Sequence, residues 1–132
     1  MAAQVGDLGD LHTQVGEVLA LIEDGEVTGY GEIATALGLP RGARAVARVL
    51  AGGGFGWDLA APVIPVGTVR GGRGKAKHFV VPEMGEGPDS RSGGLARRAV
   101  SFTHDGDNLL IPTGQCLDAE EIAERLDGSH SR

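Results

Sequence analysis

The pattern of apolar and polar positions predicts three helices in the first half of the chain. Apolar residues at helical spacing follow Thr13, a candidate N-cap, and stop at Gly25. A second such segment runs from Thr28 to Gly38, and a third begins near Pro40, whose fixed φ favours a first helical turn. Two helices joined by a tight glycine-containing turn are typical of a helix-turn-helix.

The chain beyond the third helix is predicted to be loop and β-structure. The glycine-rich segment 51–62 predicts a loop, because clustered glycines punctuate regular structure. Two β-rich runs, 63–69 and 78–81, flank a segment of glycine, arginine and lysine. That arrangement predicts a β-hairpin with a basic tip, which we call the wing.

The C-terminal third is predicted to add a small extension of mixed structure. A polar linker covers 82–94, a short helix is predicted over 93–100, and two strands flank a turn at 105–108. Asp118, with Glu121 three positions on, predicts a capping box at the start of the last helix.

These elements predict an α+β fold, mainly α: a winged helix-turn-helix with a short β-hairpin wing. Its parts are a flexible N-terminus at 1–12, the winged-helix domain at 13–82, and a C-terminal extension at 83–132 packed on the same domain. A chain of 132 residues fits one hydrophobic core, and we expect a monomer.

Positive charge is concentrated in one part of an acidic chain, whose formal charge is −6. Seven Arg and Lys residues against Asp58 give residues 40–80 a charge of +6, so the remainder carries −12. Net acidity argues against general coating of nucleic acid, but a local basic band can still contact phosphates. The alternative is that these are ordinary solvated surface charges.

The predicted third helix combines positive charge with little bulk. Three arginines and three small residues occupy its outer side: Arg41, Arg44, Arg48, Gly42, Ala43 and Ala47. Small side chains let a helix backbone come close to another surface. An ordinary exposed helix more often carries Glu and Lys pairs.

Several other functional classes lack the residues that they require. No apolar run approaches the ~20 residues of a membrane span, and the N-terminus lacks the features of a secretory signal, so no membrane contact is expected. One cysteine, Cys116, cannot form an internal disulfide, which agrees with a reducing compartment. The four histidines show no metal-ligand spacing, so we expect neither a metal nor another cofactor.

Residues 18–53 carry an ordered motif that runs Gly-x-Val-x-x-Tyr-Gly-x-Ile-Ala, Leu-Gly, and Ala-Arg-Ala-Val. This segment resembles the DNA-binding half of the O6-alkylguanine-DNA alkyltransferase family. The positions that match without gaps are Gly25, Val27, Tyr30, Gly31, Ile33, Ala34, Leu37, Gly38, Ala43, Arg44, Ala45 and Val46.

The resemblance implies minor-groove binding with base flipping. The third helix would enter the groove of duplex DNA, Arg44 would take the place of the extruded base, and Tyr30 would press on the adjoining phosphate. Unstacking a base costs a few kcal/mol and is cheapest at a damaged pair. The remaining residues expected to contact DNA are Arg41, Gly42, Ala43, Arg48, Arg70, Arg73 and Lys75.

The chain departs from the family where the family's chemistry lies. The family motif Pro-Cys-His-Arg aligns with Pro65 followed by Val66, Gly67 and Thr68, so no thiolate is available at that position to accept an alkyl group. A second register places Trp57 in the cysteine position. The expected base pocket therefore comprises Tyr30 and Trp57 together with Val66 and Gly67, and the choice between Val66 and Trp57 stays open.

A tryptophan in place of the reactive cysteine is similar to the alkyltransferase-like branch of the family. Members of that branch bind alkylated guanine without repairing it and mark it for nucleotide excision repair. We therefore expect a non-catalytic, cytoplasmic and nucleoid-associated protein whose partners are alkylated duplex DNA and excision-repair proteins. The alternatives are a DNA-modifying or base-excising enzyme with a replaced active site, and a winged-helix module that binds DNA or protein without lesion specificity.

Overall fold

The computed structural model describes residues 8–71 and 76–130. Within these residues lie six α-helices, eight short strands and one 3-10 turn at Thr113–Gln115. They are α1 (Leu8–Leu21), β1 (Thr28–Gly29), α2 (Tyr30–Ala36), α3 (Ala43–Gly52), α4 (Trp57–Ala60), β2 (Val63–Ile64), β3 (Val69–Arg70), β4 (His78–Pro82), β5 (Gly85–Glu86), β6 (Asp89–Ser90), α5 (Arg91–Arg97), β7 (Thr103–Asp105), β8 (Asn108–Pro112) and α6 (Ala119–His130).

The strands form one small antiparallel sheet and two short pairs. The sheet has the order β3-β4-β8-β7, so the hairpin from the C-terminal third extends the wing. β1 pairs with β2 in parallel, and β5 pairs with β6 antiparallel. Helices together with small sheets confirm the predicted α+β class and are compatible with a winged helix.

The helices pack around a core of aliphatic side chains. Val15, Val18 and Leu19 of α1 meet Ile33 of α2 and Val46 of α3, and each of these five side chains is fully or almost fully buried. A second apolar cluster lies under the sheet and includes Val81, Leu95, Leu109 and Ile111. Burial alternates from residue to residue along β4 and β8, because successive side chains of a strand point to opposite faces. One face of each strand therefore packs on this cluster.

The N-terminal helix starts earlier than the sequence indicates. α1 begins at Leu8, so residues 8–12, which the sequence assigned to a flexible N-terminus, are helical. Leu11 is only 3% exposed and joins the core. Burial of this one side chain favours an additional helical turn ahead of Thr13.

The predicted helix-turn-helix is present as α2 and α3. Gly38 ends the first helix with φ +83°, a conformation that L side chains rarely adopt, and the N–H of Leu39 donates to the Ala34 carbonyl at 2.8 Å. α3 itself begins at Ala43 rather than at Pro40.

Three predictions for the middle of the chain are wrong in detail. The segment 51–62 contains the short helix α4, and the run 63–69 is divided because Val63 and Ile64 pair with β1 rather than with the wing. In the wing, Val69 and Arg70 pair with β4, and the Thr68 carbonyl accepts a hydrogen bond from the Val80 N–H at 3.0 Å. The supposed linker 82–94 holds a two-stranded hairpin and the start of α5.

Asp118 caps the last helix as predicted, whereas the Glu121 side chain, the other half of the predicted capping box, pairs with Arg125. The helix also contacts the first half of the chain. The Asp118 carboxylate accepts a hydrogen bond from the Glu121 N–H at 2.9 Å. Arg125 donates to both carboxylate oxygens of Glu26, at 2.7 and 2.8 Å. These hydrogen bonds are the first cause of a lowered Glu26 pKa, and the pKa of Arg125 is raised by the same contact.

Candidate nucleic-acid interface and pocket

The three arginines around α3 are exposed and unpaired within the described part of the chain. Arg41 lies in the turn before the helix, and Arg44 and Arg48 lie one turn apart on it. No hydrogen bond or ion pair joins any of them to a described residue, whereas Val46, Val49 and Leu50 of the same helix are buried. Their guanidinium groups are therefore available to phosphates without loss of an internal contact.

The fold itself explains part of why small residues occur at the start of α3. A Cβ built on Gly42 would lie 2.9 Å from the Leu39 Cβ and 3.0 Å from the Leu39 carbonyl oxygen, so the tight turn itself requires glycine. Ala43 and Ala47 are half-buried.

In the described part of the wing, one predicted DNA contact, Arg70, already has a carboxylate partner. Arg70 forms an exposed ion pair with Asp105 of β7. Such pairs are weak, so this arginine can exchange partners, but its charge is already partly neutralised. Arg73 and Lys75 lie outside the described residues.

A pocket of about 300 Å³ opens beside α3. This volume is at the lower end of the range for small-molecule sites, roughly 300–1,000 Å³, and suits a group of nucleobase size. Its wall is mostly apolar and includes one permanent cation. The lining residues are Tyr30, Ala47, Leu50, Ala51, Phe55, Trp57, Ala60, Met84 and Arg91.

Arg44 lies on the same side of α3 as this pocket. Ala47 and Ala51 line the pocket, and they follow Arg44 by three and seven residues, the spacing of one helical face. One such step is a rise of roughly 4.5 Å, well within the reach of an arginine side chain. The fold therefore brings an unpaired arginine and the pocket to the same surface.

Close backbone packing holds Trp57 in the pocket wall. A Cβ on Gly94 of α5 would lie 2.4 Å from the Trp57 carbonyl oxygen, so glycine is what allows α5 to approach α4. A Cβ on Gly85 would lie 3.1 Å from the indole Nε1 of Trp57. The Arg97 side chain donates to Asp58 at 2.5 Å and fastens the same two helices.

The glycine-rich loop before α4 is anchored by α1. The rings of His12 and Phe55 stack with centroids 4.8 Å apart, and His12 Nε2 is 2.8 Å from the Gly53 carbonyl oxygen. Phe55 can thus form one wall of the pocket although its loop is rich in glycine.

Tyr30 and Trp57 of the expected base pocket line the observed pocket, whereas Val66 and Gly67 do not. Val66 packs against Gly29, where an added Cβ would lie 3.0 Å from its Cγ2, and Gly67 is exposed. Phe55, Met84 and Arg91 also line the pocket, and none of them was predicted as a site residue. Nothing in their local sequence marks them, because three distant segments meet only in the folded chain.

Chemically reactive groups are sparse in this region. Cys116 lies outside the pocket wall, and burial, followed by the charges of Glu32 and Asp118, raises its pKa to about 11. No group of three His, Cys, Asp or Glu side chains suited to a metal ion occurs among residues 8–71 and 76–130. None of the helices described there is long and apolar enough to cross a membrane.

A helix-turn-helix with a free basic face beside a pocket has the form of a DNA-binding domain. The family model for the DNA-binding domain of 6-O-methylguanine DNA methyltransferase matches residues 10–79, more than half of the chain. The chain belongs to that family, which confirms the resemblance seen in the motif.

Two solved structures are similar in fold. A crystal structure of S. pombe ATL in complex with DNA is 20% identical with a TM-score of 0.53, covering 86% of this chain and 94% of that one. S. pombe Atl1 in complex with damaged DNA containing O6-carboxymethylguanine is 18% identical with a TM-score of 0.58, covering 83% and 96%. A comparison with curated protein sequences gives no significant match.

Proposed function

We propose that this protein recognises alkylated guanine in duplex DNA, of the kind present in the S. pombe Atl1 complex, and does not remove the alkyl group. One observation carries the proposal: α3 presents the unpaired Arg44 on the same face as a pocket walled by Tyr30 and Trp57. A protein that recognises a damaged base by flipping it out needs a side chain to fill the gap in the duplex. It also needs an enclosed site for the extruded base. The fold supplies both within one surface.

In the proposed order of binding events, the protein first contacts the DNA phosphates. Arg41 and Arg48 hold the backbone on either side of the minor groove, and the small residues of α3 allow close approach. Arg44 then occupies the space of the extruded guanine, while Tyr30 at the start of α2 meets the adjoining phosphate. The base enters the pocket, where Trp57 and Phe55 offer aromatic surfaces for stacking.

The same geometry supports a role without catalysis. Among the described residues that line the pocket no side chain is a thiol, carboxylate or imidazole, so the thiolate and the histidine that the family's alkyl transfer requires are not found there. Cys116, with its raised pKa, is almost wholly protonated at neutral pH. We accordingly propose that the complex serves as a signal to other repair proteins, as a monomer in the cytoplasm on nucleoid DNA.

Incubation with a duplex containing O6-methylguanine tests this function. We expect tighter binding than to the unmodified duplex, by about tenfold or more, since the damaged pair is easier to open. Intact mass spectrometry should find protein and DNA masses unchanged. Equal affinity for the two duplexes would reject lesion recognition, and a protein heavier by one methyl group would reject the absence of catalysis.

Two other functions would show themselves in the same experiment. A base-excising enzyme would leave DNA with a missing base, detectable as a strand break after alkali. A protein-binding module would show no salt-sensitive affinity for either duplex.

A further inference from the structure

Arg91 is a buried cation in the pocket wall, and it has no role in the binding steps proposed above. The residue is only 3% exposed. Its Nη1 donates to the Pro82 carbonyl at 2.5 Å, and the guanidinium carbon lies 5.5 Å from the centroid of the Trp57 ring. The Nε atom is buried and has no hydrogen-bond partner among the described residues. A buried N–H donor without an acceptor is costly, so an acceptor supplied by a ligand would be stabilising.

The charges around Arg91 leave the pocket itself positive. Burial lowers the pKa of Arg91, and the neighbouring Tyr30 and Glu83 oppose that shift. The group is charged because a guanidinium is not deprotonated in proteins. Glu83 is engaged elsewhere: one carboxylate oxygen accepts from the Ser92 and Met84 N–H groups, and the other from the Ser92 hydroxyl. No carboxylate is among the pocket-lining residues.

We propose that Arg91 makes the pocket selective for guanine adducts whose O6 substituent carries a negative charge. The inference rests on the proposed function, because it concerns what the same pocket accepts. An anionic substituent would pair with a guanidinium that is already desolvated and held in place by Pro82 and Trp57. A neutral substituent of the same size could accept a hydrogen bond from the guanidinium but would lack the attraction between two opposite charges.

The test compares duplexes with two adducts of nearly equal size, O6-carboxymethylguanine and its neutral amide, O6-carbamoylmethylguanine. Wild-type protein should bind the carboxylate about tenfold or more tightly than the amide. Arg91→Met should bring the two affinities together, and Arg91→Lys, which keeps the charge, should retain most of the preference. Lys77→Met removes an exposed cation that lies outside the pocket wall and should leave the ratio unchanged.

The outcomes separate this inference from the proposed function. A wild-type protein that prefers both adducts to guanine but binds them equally would overturn the charge selectivity alone. Persistence of the preference in folded Arg91→Met would overturn it as well. If that variant does not fold, the wild-type ratio and Arg91→Lys decide. Failure to prefer either adduct over guanine would instead overturn the proposed function.

Discussion

Arg44→Ala is expected to abolish the preference for an O6-methylguanine duplex over its unmodified counterpart. The alanine cannot fill the gap that the extruded base leaves, and the cost of unstacking, a few kcal/mol, is then no longer offset. Because the guanidinium is exposed and has no internal partner in the described part of the chain, the substitution should leave the fold intact.

Fluorescence anisotropy with labelled duplexes measures the effect. Arg41→Ala is the matched control, since it also removes an exposed, unpaired arginine but lies in the turn before α3. It should weaken binding to both duplexes by a similar factor and reduce the salt dependence. A lesion preference that survives in Arg44→Ala, or is lost equally in Arg41→Ala, would contradict gap filling by Arg44 as the source of the preference.

Gly94→Ala is expected to destabilise the protein, against the usual effect of this substitution. In a helix, alanine is normally favoured over glycine by about 1 kcal/mol. Here the new Cβ would lie 2.4 Å from the Trp57 carbonyl oxygen and 2.6 Å from the Ala61 Cβ, so α4 and α5 must separate. Overpacking of this kind costs about 1–3 kcal/mol and would also shift Trp57 in the pocket wall.

Thermal unfolding followed by circular dichroism provides the measurement. Gly128→Ala is the control, because a Cβ at this position of α6 meets no other atom within 4 Å. Its Tm should be unchanged or slightly raised, whereas that of Gly94→Ala should fall by several degrees. A stabilised Gly94→Ala protein would mean that α5 does not press on Trp57 as described.

Local patterns predicted those elements whose interactions are local. The amphipathic spacing of α1 to α3, the turn between Asp105 and Asn108, and the cap at Asp118 all appear in the fold. In each case the residues that decide the structure are neighbours along the chain or lie on one helical face. The winged-helix class followed from their order.

Elements that depend on distant contacts were not predictable. The glycine-rich segment around α4 predicts a loop, yet α4 is helical. It is held against α5 by the Arg97–Asp58 hydrogen bond and by the close approach of the Trp57 backbone to Gly94. The run 63–69 reads as a single strand, yet its first part pairs with β1. A two-residue parallel pair across more than thirty positions leaves no trace in local propensity.

The residues of the candidate site also fall into those that a local motif predicted and those that depend on distant contacts. Tyr30 and Arg44 came from an ordered family motif. Sequence alone left Trp57 and Val66 as alternatives, and in the fold Trp57 lines the pocket while Val66 lies against Gly29. The sequence did not single out Arg91, since an arginine within a polar segment gives no indication that it is buried.

Fluorescence of Trp57 tests most directly the central claim that an extruded base enters this pocket. Trp57 is the single tryptophan of the chain and lines the pocket, so its emission reports on that site alone. At concentrations where anisotropy shows both duplexes bound, the O6-methylguanine duplex should quench or shift this emission in a saturable manner with one-to-one stoichiometry. The unmodified duplex should leave it nearly unchanged. Identical Trp57 emission in the two bound complexes would contradict the account.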